Sequence, residues 1–170
     1  VNEAGPATIR SRFAASLPPA GQWWGGAMAW ALAMAMSFLL STTLFGHANG
    51  SHGVTLTLLY ALGGLLGWAV AVPLIRFSGL GRTAPTVFSA WFLLLGLTTI
   101  ASTAGLFALQ YRLFYAHWHA PFPSRIWVYQ FIFTSASALY QFAVLGLRHF
   151  LPAAFLILLA LAVLMARRNR

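Results

Sequence analysis

The chain has 170 residues, 60% of them hydrophobic and 6% charged, with a net charge of +9, one acidic residue (Glu3) and neither lysine nor cysteine. A water-soluble domain of that composition could not cover its surface with polar groups, so the expected fold is an all-α, polytopic transmembrane helical bundle. Disulfides and thiolate metal sites are excluded, and arginines scattered in ones and twos between apolar blocks argue against nucleic acid as a partner.

Residues 1–22 read as an extramembranous N-terminal arm, with Arg10, Arg12, Pro6, Pro18 and Pro19. The stretch 9–17 suits a short amphipathic surface helix or a disordered tail equally. The apolar run that follows is too long for a signal-peptide core. The transmembrane domain is expected over 23–166, beginning with a span at 23–45 that is long enough to cross a hydrocarbon core of about 30 Å. Trp23 and Trp24 sit where an interfacial aromatic belt belongs. A polar turn carrying His47 and His52 leads to a second span, 55–75, closed by Pro73 and Arg76. After a loop with Arg82 and Pro85 comes a third span, 87–109, and then the longest loop, 110–125, which holds His117, Trp118 and His119.

The last third offers two apolar stretches, 126–147 and 150–166, interrupted by Arg148 and His149 and followed by a basic tail, 167–170. One unbroken helix over both would be about 60 Å long, twice the hydrocarbon thickness. A tight hairpin with Pro152 in the first turn of the fifth span is the simpler expectation. Five spans divide the arginines evenly between the two sides. Four spans, with 126–147 re-entrant, would place Arg10, Arg12, Arg76, Arg82, Arg167, Arg168 and Arg170 together against Arg112, Arg125 and Arg148. Apolar length favours five, charge bias four; either puts the N-terminus in the cytoplasm of a multi-pass protein of the plasma (inner) membrane.

Small residues are the first packing signal, because helices in lipid gain little from hydrophobicity and need close backbone approach. Gly63, Gly67 and Ala71 recur at intervals of four in the second span, Ala27, Ala31 and Ala35 do so in the first, and the third has Ala101 with Gly105. In the fourth, Gln130, Thr134, Ser137, Gln141 and Arg148 fall on one helical face. Such a stripe should meet protein, a cofactor or water rather than lipid, and Thr98, Ser102 and Thr103 offer it a match.

Alternate histidines in an extended chain point the same way, so His117 and His119 form a candidate metal pair, with His47 and His52 on the same side of the membrane. The competing reading is an aromatic interfacial loop. General acid–base chemistry lacks an orienting carboxylate, and no phosphate loop or metalloprotease motif is present, so no enzymatic activity is expected. The leading expectation is a non-catalytic membrane subunit or auxiliary factor of a larger, energy-transducing assembly, packing against lipids, other integral-membrane subunits or a second copy of itself. Bound lipid, quinone or pigment would be its cofactors. A membrane sensory domain of a regulator, a small oligomeric transporter or channel, and a histidine-loop metal-binding protein are the alternatives.

Overall fold

The computed structural model describes residues 16–46, 52–79 and 82–169. Five long helices account for nearly all of them: α1 (Ala20–Leu44), α2 (Gly53–Gly79), α3 (Ala84–Trp118), α4 (Arg125–Phe150) and α5 (Ala153–Arg168). No strand occurs among the described residues. The first four are long and apolar enough to cross a membrane, while α5, with 16 residues, spans about 24 Å. The protein is thus a helical bundle of membrane-spanning character, as its composition requires.

Local chemistry fixes the ends of these helices. Gly46 turns the chain out of α1 with φ 65°, in the left-handed region that glycine enters without a Cβ clash. Pro85 occupies the first turn of α3, where its missing N–H goes unneeded. Ser124 caps α4 by accepting from Trp127 N at 3.1 Å. Two helices are irregular inside: α3 contains a π-helical turn at Trp91–Leu95, and α4 passes through a π turn at Phe142–Gly146 into a 3-10 turn at Leu147–Phe150.

The centre of the bundle is α2. Its Gly64 faces Met34 and Trp30 of α1, and its Gly63 and Gly67 face Thr103 and Thr99 of α3. A Cβ on Gly67 would lie 2.6 Å from Thr99 Cα, so the α2–α3 approach depends on the glycine. Ala71 is fully buried in the same row. The small-residue stripe of the second span is therefore spent inside the bundle. By contrast, a Cβ on Gly105 would meet nothing within 4 Å, and Ala101 is exposed.

The expected hairpin between the fourth and fifth helices is replaced by an end-to-end joint. Phe142 of α4 packs on Phe107 of α3, Leu158 and Phe155 of α5 lie by Gly96 and Phe92, and Asn169 Nδ2 donates to Arg82 O at 2.9 Å. A single antiparallel register against α3 runs through both helices. Broken at Leu151 and Pro152, α4 and α5 continue one passage, and they share almost no lateral contact. The chain then traverses the bundle four times, and α1 begins at the end where α5 finishes. The hairpin expectation assumed that an overlong pass must fold back. Here the excess length extends α4 past the start of α2, alongside α3, which has 35 residues.

Candidate functional site

A helix that breaks inside a membrane frees backbone groups that lipid cannot satisfy, so neighbouring side chains must do so. Here the π and 3-10 turns of α4 disturb the regular ladder, and hydroxyls from α1 and α2 repair it. Tyr60 OH donates to Gly146 O at 2.6 Å. The Ser37 hydroxyl donates to His149 O at 2.8 Å and accepts from Ala154 N at 3.2 Å, joining the last turn of α4 to the first of α5. Leu151 N donates to Arg148 O at 3.0 Å. His149 is buried, with Nδ1 3.0 Å from Ser41 Oγ and its ring 4.8 Å from that of Phe38. Tyr60 stacks on Phe38 and contacts Phe150, completing an aromatic collar around the joint.

Beside the joint lies a cleft of about 210 Å³ with Arg148, Tyr60 and Gln141 among apolar walls of Phe38, Leu56 and Phe107. Leu56, Phe107 and Gln141 also line a wider recess of about 440 Å³ that continues to His52, Gln110 and Tyr115 at the end of the bundle. The Arg148 Nε is shielded from solvent and has no hydrogen-bond acceptor. No carboxylate occurs among the described residues to offset this charge. Carbonyls of the broken turn already accept hydrogen bonds: Gly146 O from Tyr60, His149 O from Ser37 and Arg148 O from Leu151 N.

The polar stripe of the fourth span is partly gathered along α3 and the loop that follows it. Gln130 Oε1 accepts from Ala120 N at 2.8 Å, and Gln141 Nε2 donates to Tyr111 OH at 3.4 Å. Thr134 bonds back to Gln130 O within its own helix, while Ser137 is exposed. The match expected from Thr98, Ser102 and Thr103 is not made. Thr98 Oγ1 donates to Gly67 O at 2.9 Å and Thr103 packs against Gly63, so these threonines serve the α2 crossing. The partner of the stripe lies a few turns further along α3, at Tyr111.

The histidines of the long loop do not take the extended geometry that a metal pair needs. His117 belongs to the 3-10 turn Ala116–Trp118, with its ring against Phe114 and Trp118, and extended backbone begins only at His119. His52 is exposed at the start of α2, and His47 lies outside the described residues. Among the described residues no three potential metal ligands gather.

Sequence reasoning missed Ser37, Ser41, Tyr60 and His149. A signal existed: Ser37 and Ser41 stand four apart in the first span, which puts two hydroxyls on one face of α1. Comparison of the chain with protein-family models, curated proteins and solved structures finds no match.

Proposed function

We propose that the protein is a non-catalytic integral-membrane subunit or auxiliary factor, whose partner packs against the outer face of α4. The observation that carries this reading is the unequal burial of the helices. In their most apolar stretches, 39% and 44% of the residues of α1 and α2 are buried, against 17% in both α3 and α4. Along the outside of α4, Tyr129, Phe133 and Tyr140 are exposed in one row, with Ser137 beside them. Hydroxyl groups on a membrane-facing helix favour protein over hydrocarbon, and helices in lipid associate through such groups and through dispersion contacts. Arg76, Arg82, Arg167 and Arg168 share the end of the bundle where α1 begins, whereas Arg112 and Arg125 lie towards the other. That bias supports a first helix that starts on the cytoplasmic side, within the plasma-membrane protein we propose.

Extraction in a mild detergent tests the proposal. The chain should run in a defined complex with other integral-membrane chains. Arg in place of Phe133 or Tyr140 should release it while its helical circular dichroism is kept. Migration of the unsubstituted protein as a single chain would contradict the reading.

A further inference from the structure

We propose that the cleft beside the broken pass binds the phosphate head of an anionic phospholipid, with Arg148 as its cationic partner. This goes beyond the subunit reading and stands whether or not a partner covers α4.

The argument starts from the cost of an arginine within a membrane-spanning bundle. Such a charge needs an anion, a carbonyl or water, and it marks a functional site by default. At Arg148 the Nε is out of solvent without an acceptor, and the described residues contain no carboxylate. Among the described residues, then, no anion offsets this charge, and one from outside the protein would. A guanidinium presents a planar fork of donors that matches the oxygens of a phosphate.

Position and shape point to a lipid rather than a dissolved ion. Tyr60, which shares the cleft with Arg148, lies two turns into α2 from Gly53, about 10 Å along the helix axis. A headgroup seated slightly below the interface would meet an arginine reaching outwards at that depth. Phe38, Leu56 and Phe107 give the chamber apolar walls. Leu145, which also lines it, is 50% exposed on the outer surface, so the chamber opens sideways where an acyl chain would leave. Gln141 stands at the passage to the wider recess and can donate to a second phosphate oxygen.

The test uses the full chain in a neutral maltoside detergent, with dioleoylphosphatidylglycerol as probe and native mass spectrometry as readout. One equivalent of lipid should be retained. Arg148→Gln should weaken retention about tenfold or more, with Arg148→Lys in between, since a point charge replaces only part of the bidentate contact. Arg125→Gln, at the exposed start of α4, should leave retention unchanged. Equal retention by Arg148→Gln, or an equal loss in Arg125→Gln, would overturn the proposal. So would inorganic phosphate that binds as tightly as the lipid, because the site would then be one for a soluble anion. If Arg148→Gln does not fold, Leu145→Trp fills the chamber without touching the charge. It should abolish retention, and retention at the original level would count against the cleft.

Discussion

Ser37 carries more of the architecture than its size suggests, because a single hydroxyl holds a carbonyl from the end of one helix and an amide from the start of the next. Alanine there removes the two hydrogen bonds that Ser37 makes with His149 O and Ala154 N in a buried site. An unmet buried polar group costs about 1–3 kcal/mol, and interhelical bonds in membranes average about 0.6 kcal/mol. A loss of about 1–2 kcal/mol is expected for Ser37→Ala, read as a lower thermal unfolding midpoint in detergent. Thr43 is the control: its hydroxyl bonds Leu39 O within its own exposed helical turn, and Thr43→Ala should stay within about 0.5 kcal/mol of the parent. An equal effect of the two substitutions would show that the joint does not depend on Ser37.

Among the helices, α2 crosses α3 closely, with Gly63 and Gly67 facing Thr103 and Thr99. Gly63→Val should force the two apart and destabilise by about 1–3 kcal/mol, the usual penalty for overfilling a packed interface. Gly105→Ala, which points into open space, should be neutral or stabilise by up to about 1 kcal/mol through helix propensity. Thermal unfolding of both variants in one detergent would check the contrast. The glycine and alanine repeat was legible in the sequence because a spacing of four is a property of one helix. The direction each repeat faces was not. Ala101 and Gly105 keep the same spacing as Gly63 and Gly67 yet lie exposed, since the choice of neighbour belongs to the assembled bundle. Likewise the polar face of α4 could be read from helical geometry, but its partner Tyr111 sits on another element.

At the scale of the whole molecule, helical class and membrane character followed from composition, whereas the path of the last third did not. Arg148, His149 and Pro152 read as a turn because charge and proline usually mark an interface, whereas the hydroxyls of Ser37, Ser41 and Tyr60 meet polar groups of the break from other helices. Four traverses have a direct consequence for sidedness. Epitope tags placed before α1 and after α5 should lie on one side of the membrane and share their protection from added protease; opposite protection would restore the hairpin. The repaired joint also bears on biogenesis. A continuous helix completes its own hydrogen bonding as it leaves the translocon, but the last passage here borrows donors and acceptors from α1 and α2. Synthesis from the N-terminus delivers those two helices first, so the lenders are already in the bilayer when the borrower arrives.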